Sequence, residues 1–408
     1  MPEIRQALKE ANRTVPSATI EYEFGADFLF EQINTAHNYR SYRNEITVFM
    51  NWCWFVKKIS ITDIDRKTML EFINFCNSPP KDLISRAPLS ILIQDKNKTE
   101  LELNPDWRPF VNKNLSAGKE YKRLASTMSK QLSVLSSFYI YLSDMQYSQI
   151  NPAAIALRRL NTNNVNNLAA VDNDREKALS QTQVNCIFNL LEDLCKKNPK
   201  KYERSRFLFY LLVLAYPRRS EISARMTYSP SFSDFKRHRQ LNGDIYYTFL
   251  IPGSKGGKSR SVIVSSMLLN ALKRYRSHLN LNPLPLPTET DIPLFVRHKS
   301  GTHGRAQGII DANLGDEQIA TLVKEIYTLA SNKLIELNEL EEAIDLLNHT
   351  THSCRHLGIS NDLFSGRKAE EVMRDSGHSS LQSLAIYTSN RHQLRVPTVN
   401  LKDQIFQS

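Results

Sequence analysis

Six residues in the second half of the chain could together carry out chemistry on a phosphate group. They occur, in chain order, within Arg218-Arg219-Ser220-Glu221, Lys255, His352-Ser353-Cys354-Arg355, Gly377-His378 and Tyr387. Transfer of a phosphodiester without a metal needs a nucleophile, cations that bind the non-bridging oxygens, and an acid that protonates the departing oxygen. Tyrosine, paired arginines and lysine or histidine can fill these roles. The pattern therefore indicates phosphoryl transfer.

The order and spacing of these residues resemble the catalytic domain of tyrosine recombinases. The signature of that family runs Arg-x-Ser-Glu, a lysine in a β-hairpin, His-x-x-Arg, Gly-His, and a tyrosine nine residues beyond that histidine. Tyr387 lies nine residues beyond His378. His-x-x-Arg alone occurs by chance in many proteins, but five pieces in this order are specific. The resemblance implies an enzyme that cleaves and rejoins DNA with Tyr387 as its nucleophile.

The resemblance implies a role for each matching residue. Arg218 and Arg355 would bind the phosphate oxygens, because a guanidinium group is planar, stays charged and donates two hydrogen bonds at once. Glu221 would orient Arg218, which leaves Arg219 as a bystander. Tyr387 would form a 3′-phosphotyrosine link, and the bond energy retained there makes rejoining independent of ATP and of metal.

Proton transfer in the implied reaction falls to a lysine and two histidines. Lys255 would be the general acid for the leaving 5′-oxygen, with Lys258 in the same loop as its rival. His352 would assist proton movement at the tyrosine, and His378 would hydrogen-bond a non-bridging oxygen. His352 and His356 stand at i and i+4 like a metal-binding pair, but no acidic ligand pattern such as His-Glu-x-x-His accompanies them. We therefore expect no metal and no cofactor.

One segment departs from the family pattern. Ala215-Tyr216-Pro217 precedes Arg218, where family members usually carry Thr-Gly-Leu. We expect Pro217 to reshape the turn that presents Arg218, and we interpret the departure as the mark of an outlying branch.

Helices and one small sheet must position these residues. Apolar spacing predicts helices at Gln181 to Lys196 and Arg204 to Tyr216, and an acidic helix at Ile335 to Asp345. Ile245 to Ile251 and Ser261 to Val264 predict a strand pair around the loop that carries the lysines. His352 and Arg355, at i and i+3, would lie on one turn of a further helix.

The first 150 residues predict a helical domain that resembles the core-binding domain of the family. Residues at helical spacing from Tyr42 to Cys53 mark one apolar face, and a second helix is predicted at Arg66 to Cys76. The spacing between Ser126 and Leu142 predicts another, and Asn151-Pro152 is a turn signal. The exception is Pro79 to Gly118, which is polar and rich in turn residues and which we interpret as an insertion.

A chain of 408 residues is too long for a single core, since cores stop growing near roughly 250–300 residues. The Asn-rich stretch near Arg158 to Asp174 predicts an interdomain linker.

The expected fold class is mostly α with a small β-sheet, in which an α+β catalytic domain and the core-binding domain form a C-shaped clamp on DNA. The expected parts are an N-terminal extension at 1–25, the core-binding domain at 26–157 with its insertion at 79–118, a linker at 158–176, the catalytic domain at 177–395 and a tail at 396–408.

Composition narrows the class of protein. There are 53 Lys and Arg against 42 Asp and Glu, a net charge of +11, which favours a polyanionic partner such as nucleic acid. Five scattered cysteines without a Cys-x-x-Cys pair fit a reducing compartment. The most apolar run, Phe207 to Pro217, is shorter than the roughly 20 residues that a membrane helix needs. We expect a soluble cytoplasmic protein, associated with the nucleoid and not with a membrane.

These observations predict a site-specific recombinase, or integrase, that acts on attachment sites in double-stranded DNA and integrates or excises a mobile element. The family resemblance implies a homotetramer on paired sites, with accessory DNA-bending proteins as further partners. Two alternatives use the same fold. One is a type IB topoisomerase-like or resolvase enzyme, and the other is a catalytically idle DNA-binding regulator, which is disfavoured because all six catalytic-type residues are present.

Overall fold

The computed structural model describes residues 2–33, 36–94, 101–112, 120–166, 178–225, 228–253, 259–300, 312–384 and 387. The chain divides into two compact units, residues 1–171 and residues 172–408. Both are mostly helical, and the strands among the described residues form only small sheets, which confirms the predicted class of a mostly α fold with little β-structure. No helix in these ranges is long and apolar enough to cross a bilayer.

The first unit is built mainly of helices. Its α-helices are α1 (Pro2–Ala11), α2 (Ala18–Glu31), α3 (Ala36–Asn51), α4 (Arg66–Asn77), α5 (Ala125–Asp144) and α6 (Pro152–Asn166). A π-helical turn at Trp52–Lys57 continues α3. Asp65 begins α4 by accepting a hydrogen bond from the Thr68 backbone N–H at 2.7 Å, as a good N-cap residue does. The predicted helices from Tyr42 and from Arg66 are therefore present.

Aromatic side chains fill the core of this unit. Phe49 packs edge to face against Phe72 with 5.1 Å between ring centroids, and Tyr139 lies 6.1 Å from Phe49. The Tyr139 hydroxyl donates to the Ile61 carbonyl at 2.8 Å, so its burial leaves no polar group unpaired. Burial of these rings, with the aliphatic side chains around them, favours assembly of the helices.

The segment predicted as an insertion contains two short sheets. Strand β1 (Ile84–Ser85) pairs in parallel with β4 (Phe110–Val111), and β2 (Leu92–Gln94) pairs antiparallel with β3 (Leu101–Leu103). Phe110 is buried and meets the Phe75 ring at 6.0 Å between centroids, so the insertion is anchored on the helical core.

Helix α6 begins where the sequence suggests a turn. Asn151 accepts a hydrogen bond from the Ala154 backbone N–H at 2.9 Å, and Pro152 occupies the first helical position, where its missing N–H costs nothing. The Asn151-Pro152 pair, which the sequence suggests as a turn, therefore marks the start of a helix. The helix continues to Asn166, so residues 158–166 of the segment predicted as linker are helical.

Among the described residues, the second unit contains seven α-helices and one sheet, and all of them except the last helix contribute to one large core. They are α7 (Gln181–Lys197), α8 (Pro199–Leu214), α9 (Ser266–His278), α10 (Asp316–Glu336), α11 (Leu340–Leu346), α12 (Thr351–Phe364), α13 (Ala369–Ser376) and a sheet of β5 (Phe235–Arg239), β6 (Ile245–Ile251) and β7 (Arg260–Ile263). The sheet is antiparallel in the order β5-β6-β7. Its inward side chains, among them Phe249 and Val262, join the core with Phe207 and Leu272.

The prediction of one acidic helix from Ile335 to Asp345 is wrong. Helix α10 ends at Glu336, and α11 begins at Leu340. Asn338 between them has φ of +63°, a left-handed conformation that asparagine tolerates better than most residues. The turn places Ala343 and Leu346 on a buried face.

Helices α8 and α12 approach each other at Gly358. A methyl group at this position would overlap the carbonyl oxygen of Val213 at the end of α8. Backbone atoms cannot move aside as a flexible side chain can, so only glycine allows this approach. The contact matters for the site, because α12 carries His352 and Arg355 and the turn after α8 carries Arg218.

Gly358→Ala should therefore lower the free energy of unfolding by about 2–3 kcal/mol, the usual cost of overpacking a rigid contact. Urea-induced unfolding followed by circular dichroism measures the loss. Gly315→Ala is the matched control, because a methyl group there meets only Gln318 at 3.9 Å. Equal stability of the two variants would show that α8 and α12 can separate without cost.

Candidate active site

Arg218 stands at the start of a single 3-10 turn, Arg219–Glu221, that follows α8. The Glu221 carboxylate accepts hydrogen bonds from the Arg218 backbone N–H at 2.7 Å and from Arg218 Nη1 at 2.9 Å. Glu221 is 1% exposed, whereas the Arg218 side chain is 42% exposed. One buried carboxylate thus fixes an arginine that still reaches solvent.

Arg355 lies on α12 and is almost wholly buried. Its Nη1 donates to the Tyr216 carbonyl at 2.6 Å and its Nη2 to the Ser376 carbonyl at 2.7 Å. Burial, and then the nearby Arg218 cation, lower the pKa of Arg355 to about 10, which still leaves it charged at neutral pH. The guanidinium therefore joins the end of α8 to the end of α13.

His378 follows a glycine that ends α13. Gly377 has φ of +70°, the left-handed conformation of many helix C-termini, and it turns the chain so that His378 faces Tyr387. The Tyr387 hydroxyl and His378 Nε2 are 3.3 Å apart, and Ser376 Oγ lies 2.6 Å from His378 Nδ1. The two residues that the motif spacing pairs are in direct contact.

His378 is surrounded by cations. Burial, and then the charges of Arg355, Arg218, Arg260 and His352, lower its pKa from 6.5 to about 4. The imidazole is therefore neutral at pH 7 and keeps one ring nitrogen able to accept a proton.

Two further histidines line the same group of rings. His352 lies in the first turn of α12, and its ring centroid is 4.7 Å from that of His356. His356 is buried and its ring lies 4.6 Å from that of Tyr387. His356, which we considered only as half of a metal pair, is thus a neighbour of the candidate nucleophile. Its i+4 spacing from His352 is the sequence signal for this edge-to-face contact between the two histidines.

Arg260 is a site residue that the motif pattern does not reveal. It begins β7 and donates from Nη1 and Nη2 to the two Glu221 oxygens at 3.0 and 2.8 Å. Its Nε donates to the Asp375 carbonyl at 2.8 Å, and its side chain covers Gly377. Arg260 and Val262 share the inward face of the strand, and an inward arginine on a core strand is the signal that could have identified it.

The loop with the two candidate lysines leaves the same strand pair. Lys255 and Lys258 lie outside the described residues, as does the tail at 396–408. At the base of the loop, the Gly253 backbone N–H donates to Ser259 Oγ at 3.3 Å, and Ile251 pairs with Arg260.

Arg219 points to another partner. Its guanidinium pairs with the Asp316 carboxylate at the start of α10, with 2.6 Å between Nη2 and Oδ2. Arg218 and Arg219 thus contact different acids. Within the described part of the chain, no three His, Cys, Asp or Glu side chains group closely enough to hold a metal ion.

Comparison with solved structures identifies the fold of the chain. Sequence comparison with protein-family models and with curated proteins gives no match. Among solved structures, the XerH site-specific recombinase bound to a palindromic difH substrate matches with a TM-score of 0.52 and 17% identity, over 91% of this chain and 80% of that one. This chain has the tyrosine-recombinase fold.

A second solved structure supports the assignment of a tyrosine-recombinase fold. The Tn1549 transposon integrase in complex with transposon right-end DNA matches with a TM-score of 0.51 and 12% identity, over 95% of this chain and 99% of that one. At such identities the likeness concerns the fold, so the roles of individual residues must be argued from this chain's own geometry.

Arg260→Met should lower the free energy of unfolding at pH 7 by about 3–5 kcal/mol, because it leaves the buried Glu221 carboxylate without its bidentate partner. Burial raises the pKa of Glu221, but the hydrogen bonds and charge of Arg260 and the Arg218 contacts bring it below 4.5. A carboxylate with a lowered pKa stabilises the fold above that ordinary value and loses the effect as pH falls. The stability gap should therefore shrink below pH 4.5.

Arg219→Met is the matched control, because its pair with Asp316 is about two-fifths exposed and should be worth less than about 1 kcal/mol. Thermal unfolding from pH 3 to pH 8 compares the variants. A gap between them that does not change with pH would contradict the assignment of Arg260 to Glu221.

Proposed function

We propose that this protein is a site-specific DNA recombinase that cuts and rejoins DNA through a 3′-phosphotyrosine intermediate. The observation that carries the proposal is the contact between the Tyr387 hydroxyl and His378, at a place where burial and a group of cations lower the His378 pKa. A phenol with an ordinary pKa near 10 needs such surroundings to attack at neutral pH. An anionic phosphodiester is the substrate that this charge favours.

Arg218 and Arg355 are the proposed phosphate ligands. The exposed guanidinium of Arg218 is fixed by a carboxylate behind it, and Arg355 is fixed by two backbone carbonyls. Groups held in place before the substrate binds stabilise developing charge without reorganising at the moment of reaction. The pair would neutralise the non-bridging oxygens as the phosphorus becomes five-coordinate.

Tyr387 is the proposed nucleophile and Lys255 the proposed general acid. The phenolic oxygen would bond to phosphorus while the bond to the 5′-oxygen breaks, and the lysine would give that oxygen a proton. Attack of the 5′-hydroxyl on the phosphotyrosine would reverse these steps. Neither direction requires a metal or a nucleotide cofactor.

Double-stranded DNA is the proposed partner. The net charge of +11 suits a polyanion, and the two similar solved structures are complexes with a difH substrate and with transposon DNA. We propose that both units bind the duplex, with 26–157 as the core-binding and 177–395 as the catalytic domain. Four copies on paired sites would supply the four nucleophiles of strand exchange, in the integration or excision of a mobile element.

Tyr387→Phe should abolish covalent attachment to DNA and leave DNA binding nearly unchanged, because only the nucleophilic hydroxyl is lost. A nicked suicide substrate traps the covalent adduct, which denaturing gel electrophoresis detects as a slower band. Tyr246→Phe is the control, since its ring stacks on His238 in the sheet. An adduct formed by the Tyr387→Phe protein would assign the nucleophile elsewhere.

The adduct assay, together with assays of supercoil relaxation and of strand exchange, separates the alternative functions. A wild-type protein that binds DNA and never forms an adduct would be a binding regulator. A protein that forms the adduct and relaxes supercoils, but does not exchange strands between two paired sites, would be a topoisomerase-like enzyme.

Arg218→Ala and Arg355→Ala should each slow cleavage by about 10²-fold or more, the usual effect of removing a preorganised charge stabiliser. Arg219→Ala should change the rate only a few-fold, because Arg219 pairs with Asp316. Single-turnover cleavage at saturating protein measures the rates. A larger loss from Arg219→Ala than from Arg218→Ala would overturn the assignment.

A further inference from the structure

The hydroxyl of Ser376 makes two contacts at the end of α13. Ser376 is fully buried, and its Oγ lies 3.2 Å from the Met373 carbonyl oxygen and 2.6 Å from His378 Nδ1. On the far side of the imidazole, Nε2 lies 3.3 Å from the Tyr387 hydroxyl. A continuous line of hydrogen-bonding groups therefore runs from the helix end to the candidate nucleophile.

The number of protons that each group carries limits which groups donate and which accept along this line. A carbonyl oxygen only accepts, so in the 3.2 Å contact with Met373 the Ser376 hydroxyl is the donor. With its single proton there, Ser376 Oγ accepts from the other side, and the proton of neutral His378 is on Nδ1. His378 Nε2 is then the acceptor that faces the Tyr387 O–H group. In the opposite tautomer, Ser376 would donate to Nδ1 instead, and Nε2 would donate to Tyr387 and could not take its proton.

We propose that Ser376 is a positioning residue that holds His378 in its Nδ1–H tautomer, so that His378 Nε2 accepts the Tyr387 proton during attack on DNA. The inference rests on the proposed function and deepens it. It gives His378 a part in activating the nucleophile, where the family resemblance implies only a contact to a phosphate oxygen.

The step balances in protons and electrons. The Tyr387 O–H bond breaks and a bond from that proton to His378 Nε2 forms, which makes His378 an imidazolium. The freed oxygen lone pair bonds to phosphorus, the bond to the 5′-oxygen breaks, and that oxygen takes a proton from the general acid. During rejoining the imidazolium returns its proton to the phenolate oxygen.

The charged groups around His378 favour its neutral form before substrate binds and its action as a base afterwards. Burial, and then the charges of Arg355 on α12, Arg218, Arg260 on β7 and His352, keep it neutral before substrate binds. A bound phosphodiester adds a negative charge among them, which raises the pKa of His378 and makes Nε2 a better base once substrate is present.

The tautomer can be measured directly in the full-length protein labelled with ¹⁵N-histidine. At pH 7 we expect the His378 Nδ1 resonance in the range of protonated ring nitrogens and Nε2 in the unprotonated range, with His378→Gln used to assign the signals. Ser376→Ala should mix or reverse the two shifts. A protonated Nε2 in the wild-type protein would overturn the inference, whether or not the protein cleaves DNA.

Cleavage of the nicked substrate tests the consequence. Ser376→Ala should slow the single-turnover rate about tenfold, the effect of one lost hydrogen bond, without weakening DNA binding. Ser376→Thr keeps a hydroxyl and should restore the rate to within a few-fold. In a His378→Gln background, Ser376→Ala should cost nothing further, because there is no tautomer left to select.

Ser331→Ala is the matched control, since Ser331 is a buried serine that donates to a backbone carbonyl, of Ala343, and belongs to α10 rather than to the site. It should lose similar stability and keep the wild-type cleavage rate. A Ser376→Ala protein with the rate of the Ser331→Ala protein would overturn the inference. If wild-type protein forms no adduct at all, the proposed function fails, and the tautomer measurement alone still decides the role of Ser376.

Discussion

The buried carboxylate of Glu221 is the constraint on which the arrangement of this site depends. An unpaired carboxylate in the protein interior costs several kcal/mol, so the fold must bring cations to it. Arg218 comes from its own turn and Arg260 from β7, 39 residues further along the chain. Because Arg260 also binds the Asp375 carbonyl and covers Gly377, satisfying one carboxylate positions the turn before His378.

The second contact that organises the site is made by an arginine whose hydrogen-bond partners are backbone carbonyls rather than a carboxylate. Arg355 is held by the carbonyls of Tyr216 and Ser376, so its full positive charge is not neutralised by a carboxylate of its own. A group of cations held in this way repels itself in the absence of an anion and favours a phosphate when one binds. Burial first, and then the same cations, lower the pKa of His378, so a charge distribution that favours a phosphate also helps to keep the histidine neutral.

Local patterns in the sequence predict the helices and the strand pair well, because helical spacing and alternation reflect which face each element buries. Six candidate site residues were identified from the order and spacing of their motifs, and one of them, Lys255, lies outside the described residues. Arg260 was not identified, because its place in the site depends on contacts with Glu221 and Asp375, which are 39 and 115 positions away in the sequence. The break at Asn338 was missed for another reason: apolar periodicity continues across it, and only a left-handed backbone conformation separates the two helices.

The departure from the family pattern before Arg218 has a physical explanation in Tyr216. This residue stands where the family usually has glycine, and its φ of +36° is a conformation that costs a residue with a side chain about 1–3 kcal/mol. What the position must provide is a carbonyl aimed at Arg355, and Tyr216 provides it at 2.6 Å. The ring is buried with Ile359 and Leu384, and Gly358 leaves room beside it, so packing offsets the strain. The constraint at this turn therefore acts on the backbone, and Tyr216 meets it with a strained φ that the packing of its buried ring offsets.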